Sequence, residues 1–263
     1  MQYRKAYADT PSGQIHYAEV AGSGDPIVFI HKTVSTYRMW LPVMERMEPG
    51  RRMIAFDMPG FGESFDPSSP VPLAQYGAWL AEAIDALGIA RCHIVGHHTG
   101  AGVALALATD RPDLALSLSM IGPLPQNAEE KAESAAKYGT PFTPEDTGQY
   151  LFENWNYVRT AGAADIDLAN REMSAMLRSW QTRAWTYDAV WQFDFAERYQ
   201  AVRAPLLIFC SPDDFLFPLF DRAKAMRPDA KAVLLSGGEN YQTDRVPGEI
   251  AAALSTFLGT RER

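Results

Sequence analysis

The chain has 263 residues, 47% of them hydrophobic, with a formal charge of −8 at pH 7. That is enough apolar material for one large core, and the acidic balance sets the chain against nucleic acid and anionic membranes, which would repel it. The opening residues, Met1 to Tyr7, hold no apolar leader, and no stretch approaches the ~18 apolar residues of a membrane span. The expected location is therefore cytoplasmic and the expected partner a small-molecule substrate, with no nucleic acid and no membrane; a homodimer is allowed. Cys92 and Cys210 fall in predicted strands and read as buried packing thiols suited to a reducing compartment.

Residues 14–20, 26–30, 52–56, 92–95, 116–121, 206–210 and 232–235 read as strands, most of them apolar on both faces. This is the pattern of a largely parallel sheet covered by helices on each side, with the first runs, joined by Pro11-Ser12-Gly13 and Gly22-Ser23-Gly24, forming an antiparallel edge. Helices are expected over 37–47, 73–87, 99–110, 219–226 and 248–258. The second shows apolar spacing at Leu80, Ile84 and Leu87 with Gly88 as its stop. The third is dominated by Gly and Ala, so its backbone can approach the sheet closely. From 124 to 197 the pattern turns helical, polar and aromatic, without a strand. That stretch reads as a cap inserted into a core of 1–123 and 198–263.

After the strand at 92–95 comes Gly96-His97-His98-Thr99-Gly100. With Asp57-Met58-Pro59-Gly60-Phe61-Gly62-Glu63-Ser64, His31 at the end of an apolar strand, and Asp214 four residues before Pro218, it makes the chain resemble the α/β-hydrolase family, in particular its capped small-molecule members. The resemblance covers nearly the whole length. It implies an α/β fold with a mostly parallel eight-stranded sheet, helices on both faces and an inserted helical cap. It also implies an elbow nucleophile at position 98, a triad acid at Asp214 and oxyanion-hole amides at Thr33 and Thr99.

The chain departs from that pattern twice. His98 stands where the family presents serine, and Asn240, read back from Pro247, stands about where the triad histidine belongs; no histidine follows His98. Ordinary serine-esterase chemistry is not carried over, because the hydroxyl and the imidazole that would deprotonate it are both missing from their posts. An imidazole at a helix N-terminus is expected to be mainly neutral near pH 7, since the unpaired amides there disfavour a cation. The favoured function is cofactor-independent acid–base chemistry on a carbonyl compound, of lyase, isomerase or cyclase type, with His98 as proton carrier. The alternatives are ester or lactone hydrolysis with His98 activating water, and a catalytically inactive ligand-binding protein.

Within this scheme the Asn240 amide is expected to donate to Asp214 while its carbonyl accepts from His98, fixing one imidazole tautomer. Asp213 is the alternative acid. His31 is expected first as a hydrogen-bonding turn residue and is also a candidate substrate-binding residue. Lys32, in place of the family's glycine, faces solvent, joins a salt bridge or holds an anionic substrate group, the first two favoured. Trp155 and Trp185 are candidates for the substrate wall. No cofactor is implied, and no metal site, since the adjacent His97 and His98 side chains are expected to diverge. Gly60 and Gly62 alone make no phosphate cradle.

Overall fold

The computed structural model describes residues 1–139, 142–163 and 165–259. Strands β1 (Arg4–Thr10), β2 (Gly13–Val20), β3 (Ser23–Ile30), β4 (Arg51–Phe56), β5 (Cys92–His97), β6 (Ala115–Ile121), β7 (Leu206–Cys210) and β8 (Lys231–Leu234) form one sheet in the order β1-β2-β4-β3-β5-β6-β7-β8. β1 and β2 pair antiparallel, as do β2 and β4; from β4 to β8 every neighbour is parallel. The apolar runs alternate between two cores. Val28, Ile30 and Ile94 face one cluster, Ile27, Phe29 and Val95 the other, and all six are fully buried. Burying such a side chain contributes about 1.5–3 kcal/mol, so the strands buried on both faces take the centre of the sheet.

β1 escapes the sequence pattern. It is an edge strand whose outward residues are polar and exposed, and only its pairing with β2 through the Pro11–Gly13 turn defines it. The helix expected at 37–47 is split into a 3-10 turn, Tyr37–Trp40, and α1 (Leu41–Met44). Pro42 has no N–H to return to Arg38, so an uninterrupted α-helix cannot run through it.

Helices α2 (Leu73–Ala86) and α3 (Thr99–Asp110) pack on one face of the sheet. The 3-10 turn, α1, and the later α11 (Pro247–Gly259) cover the other. Between β6 and β7 lie α4 (Ala128–Tyr138), α5 (Gln149–Thr160), α6 (Ile166–Arg178), α7 (Trp180–Gln192) and α8 (Phe195–Ala201), with no strand among the described residues. α9 (Phe217–Met226) follows β7 and α10 (Gln242–Arg245) follows β8. No helix among the described residues is long and apolar enough to cross a membrane. The C-terminal ends of β5, β6 and β7 open on one side of the sheet, where an open parallel sheet places its ligand site.

Candidate active site

At the end of β5 the chain turns sharply into α3. His98, the residue before the helix, takes φ 47° and ψ −113°, a sparsely populated conformation costing about 1–3 kcal/mol. Two glycines permit the turn. A Cβ on Gly96 would strike the Gly100 carbonyl, and one on Gly100 would strike the Ile30 carbonyl, so the helix start presses directly on β5 and β3. His98 N–H donates to the Ile121 carbonyl (2.8 Å) and its own carbonyl accepts from Ala101 N–H (2.8 Å), which fixes the residue at both ends.

The His98 ring lies against Gly122, at the end of β6. A Cβ there would stand 2.6 Å from His98 Nε2, so the absence of a side chain at 122 makes room for the imidazole. Nε2 then meets Asp214 Oδ2 at 2.8 Å. Asp214 follows β7, and its Oδ1 accepts the Leu216 N–H at 2.8 Å. Burial pushes the Asp214 carboxyl up, but His98 beside it and the Leu216 and Gln242 donors outweigh this and hold it below the usual carboxylate range. An ionised carboxylate can only accept, so Nε2 of His98 carries the proton and Nδ1 is left with the lone pair when the ring is neutral. Nδ1 has no hydrogen-bond partner among the described residues, and His98 lines the adjoining chamber.

Gln242, the first residue of α10, completes the arrangement and has no counterpart in the sequence reading. Its amide nitrogen donates to Asp214 Oδ2 and to Ser211 Oγ (3.1 Å), and its carbonyl oxygen meets His97 Nε2 at 2.8 Å. His97 therefore donates from Nε2, and its Nδ1 is buried without a partner among the described residues. Burial, with His98 and Lys32 nearby, drives the His97 pKa well down. Contrary to expectation, the two rings do not diverge: they stack with centroids 4.2 Å apart and planes 24° apart. His98 has left the strand conformation, so the side-to-side alternation of β5 no longer separates the pair. His97, His98 and Asp214 each bring a ligand atom within 4.8 Å of the others. Nε2 of each ring is already engaged, with Gln242 at His97 and with Asp214 at His98, so an ion bound there would compete with one of these hydrogen bonds or use Nδ1.

The other expected residues divide between the chamber wall and places outside it. Thr33 and Thr99 both line the chamber, and neither amide donates to a backbone carbonyl among the described residues. Asn240 also lines it, but the expected bonds to Asp214 and His98 are not formed: Gln242 occupies Asp214, and the Asn240 side-chain oxygen is buried without a partner among the described residues. Asp213 lies outside the pair, accepting the Gly238 N–H at 3.1 Å. His31 is a turn residue rather than a substrate contact: it does not line the chamber, and both ring nitrogens are engaged, Nδ1 donating to the Lys32 carbonyl (2.8 Å) and Nε2 accepting Met58 N–H (2.9 Å). The aspartate of the Asp57 loop is likewise structural, holding Tyr37 N–H at 2.7 Å and His16 Nδ1 at 2.8 Å.

Lys32 corrects the favoured expectation of solvent or a salt bridge. It is buried, its Nζ donates to the Asn240 carbonyl at 2.6 Å and stands 3.6 Å from the centroid of the Tyr241 ring. Burial lowers its pKa to about 8 against the pull of Glu172, Asp244 and Asp214. It ties the loop after β3 to the loop before α10 and does not line the chamber. Trp155 and Trp185 do not line it either. Their places are taken by Tyr157 on α5 and by Tyr187, Val190 and Trp191 on α7. Each misplaced tryptophan stands two residues before the tyrosine that reaches the chamber, a rotation of about 200° around a 3.6-residue helix.

The chamber against His98 has a volume of about 50 Å³. It adjoins a wider cleft of about 520 Å³ that also touches Lys137, Asp213 and Glu239. Tyr138, Tyr157, Phe215 and Asn240 border both. Apart from His98, the inner chamber is lined among the described residues by no aspartate, glutamate, lysine, arginine or second histidine, and its other titratable groups are the phenols of Tyr138, Tyr157 and Tyr187. One serine–imidazole contact, Ser117 Oγ to His93 Nδ1 at 2.8 Å, is sealed inside the sheet between β5 and β6.

Comparison with known proteins places the chain in a family. The (E)-2-((N-methylformamido)methylene)succinate hydrolase of Acinetobacter baylyi is 26% identical over 205 residues, covering 76% of each chain. A putative carbamate hydrolase, RutD, of Caulobacter sp. is 28% identical over 232 residues, 83% of this chain and 85% of that one. A dihydrolipoyllysine-residue acetyltransferase component of the acetoin cleaving system of Cupriavidus necator is 32% identical over 118 residues. That match spans 45% of this chain and only 32% of the longer protein. In fold, the crystal structure of E-2-(acetamidomethylene)succinate hydrolase superposes with a TM-score of 0.82 at 22% identity, covering 98% of this chain and all of that one. The enol-lactonase of Burkholderia xenovorans gives 0.80 at 17% identity, over 97% of this chain and all of its own. The alpha/beta hydrolase family model matches residues 27–253, and the chain belongs to that family.

Proposed function

We propose that this protein is a cofactor-independent small-molecule enzyme in which His98 moves a proton to and from a carbonyl-containing substrate, without a Ser-His-Asp triad. One observation carries the reading: Asp214 holds Nε2 of His98, so the basic lone pair of the neutral ring sits on Nδ1, which has no partner among the described residues, and His98 lines the chamber. A base must lie within hydrogen-bond reach of the proton it takes, and a positioned one contributes about 10²–10⁴-fold to rate. Thr33 and Thr99 line the same chamber, and in this reading their amides stabilise an enolate or alkoxide oxygen as it develops. Removal of a proton beside a carbonyl, followed by elimination, isomerisation or ring closure, is the chemistry this arrangement serves.

A second reading, hydrolysis with His98 activating water, is favoured by the relatives, whose names are those of hydrolases. The two separate experimentally. Enolisable aryl ketones incubated in D2O with the protein should exchange their α-hydrogens, read by proton NMR, and His98→Ala should abolish the exchange while leaving the fold intact. Exchange that is absent, or equal in the variant, removes His98 as the carbon-acid base.

A further inference from the structure

The cap reaches the stacked histidines through a buried ion network. On α6, Glu172 is 1% exposed, and its Oε1 accepts from Ser35 Oγ at 3.1 Å and from Arg171 Nε at 2.8 Å. The fork of Arg171 spans both oxygens of Asp244 on α10, Nη1 to Oδ1 at 2.6 Å and Nη2 to Oδ2 at 2.8 Å. Such a bidentate pair fixes distance and plane together.

α10 is one turn of helix, Gln242–Arg245. A turn that short gains little from its own hydrogen bonds, so contacts from outside set its place. They fall on alternate residues. Lys32 Nζ holds the Asn240 carbonyl at 2.6 Å and Arg171 holds the Asp244 carboxylate, while Gln242 between them turns its amide to Asp214 and His97. The first anchor comes from the loop after β3, which Ser35 ties to Glu172, and the second from the cap. Lys32 feels the charges of both Glu172 and Asp244, so two cations and two carboxylates face one another across this seam.

We propose that Arg171 is a positioning residue: its fork seats α10 so that the Gln242 amide meets Asp214 and His97, and the seating of the cap thereby selects the tautomer of the imidazole stacked on His98. The proposal rests on the function proposed above for its effect on turnover, and on geometry alone for its effect on His97. Without the guanidinium, Glu172 and Asp244 turn to Lys32. The ammonium is drawn from the Asn240 carbonyl toward the carboxylates, and α10 loses both outer anchors at once. Gln242 then visits orientations in which its oxygen no longer accepts from His97 Nε2. Asp214 keeps its direct bond to His98 and loses a donor.

The test uses the intact protein labelled with nitrogen-15 histidine. In the wild type His97 should give the Nε2–H signature. In Arg171→Met, checked for folding by circular dichroism, the two His97 nitrogens should move toward an averaged shift while His98 keeps its Nε2–H signature. Asp244→Asn preserves the size of the partner and removes its charge; it should move His97 in the same direction and decides the matter where the methionine variant does not fold. Arg178→Met removes an arginine of the same helix whose ion pair with Asp66 lies at the surface, and should leave His97 unchanged. His98-dependent deuterium exchange should fall about 2- to 30-fold in Arg171→Met, the range for coupling through a packed network. A wild type without the Nε2–H signature, a His97 signal unchanged in both Arg171→Met and Asp244→Asn, or the same change in Arg178→Met overturns the proposal. His98-dependent exchange with an unmoved His97 signal sinks the positioning role alone. A moved His97 signal in a protein that exchanges no deuterium sinks the proton-transfer reading and leaves the seating of Gln242 by Arg171 supported.

Discussion

The Gln242 side-chain amide donates to the carboxylate of Asp214, and this contact sets the state of two imidazoles. Asp214 can only accept while ionised, so it orients the amide nitrogen toward itself and turns the Gln242 oxygen toward His97. The same carboxylate oxygen takes Nε2 of His98. A single charge thus selects the Nε2–H tautomer of both stacked rings, directly at 98 and through an amide at 97.

Gln242→Leu should leave His97 Nε2–H without its acceptor and remove one donor from Asp214. A buried donor stripped of its partner costs about 1–3 kcal/mol, and denaturant unfolding should show a loss of that size. Nitrogen-15 NMR should show His98 still protonated at Nε2, because its bond to Asp214 is direct, while His97 loses its fixed tautomer. If both rings keep the wild-type signature, the amide does not transmit the choice.

Acid should act through Asp214. A carboxyl held below its ordinary range in the folded protein contributes stability that is fully present above the unfolded value and is lost as pH falls through the folded one. Asp214→Asn should therefore flatten part of the acid limb of the stability curve, measured by denaturant titration at stepped pH. It should also lower any His98-dependent turnover by about 10²–10⁴-fold, the range for a proton carrier left unoriented.

Gly122→Ala tests the fit of the imidazole. The added methyl would lie 2.6 Å from His98 Nε2, at a backbone φ of +65° that L side chains rarely adopt. Overpacking of this kind costs about 1–3 kcal/mol. Two terms contribute, backbone strain and the clash, and only the clash depends on residue 98. In a His98→Ser background the same substitution should cost less, with a coupling of about 0.5–3 kcal/mol in a double-mutant cycle. Equal costs in both backgrounds would show that the ring does not use the space at 122.

The parts legible in the sequence are those fixed by backbone geometry. Gly96 and Gly100 announce an elbow because no side chain fits between α3 and the sheet, and doubly apolar runs announce central parallel strands. Asp214 is legible from its register to Pro218, and it does meet His98. Gln242 is not, because a glutamine two places past the position expected for histidine carries no spacing signal; the turn into α10 decides that it, rather than Asn240, reaches Asp214. Helix phase hides the chamber wall in the same way. Tyr157 and Tyr187 are chosen over Trp155 and Trp185 by the rotation of α5 and α7, which composition does not encode.

Lys32 offers a test at alkaline pH. Its folded pKa of about 8 lies below the ordinary lysine value of 10.5, the reverse of a lysine stabilised by a partner. Between these values the unfolded chain holds a proton that the folded chain has released, so this group makes stability rise with pH across the window and level off above it. Below about 8 both states are charged, and the folded protein bears the full cost of a buried ammonium, about 3 kcal/mol at ~1.4 kcal/mol per pKa unit. Lys32→Met should remove the rise between pH 8 and 10.5. It also removes the bond to the Asn240 carbonyl, so the net change at neutral pH is smaller than the ionisation cost alone. Denaturant midpoints measured every half unit from pH 7 to 11 decide the matter: a variant that keeps the wild-type slope would assign the alkaline rise to another group.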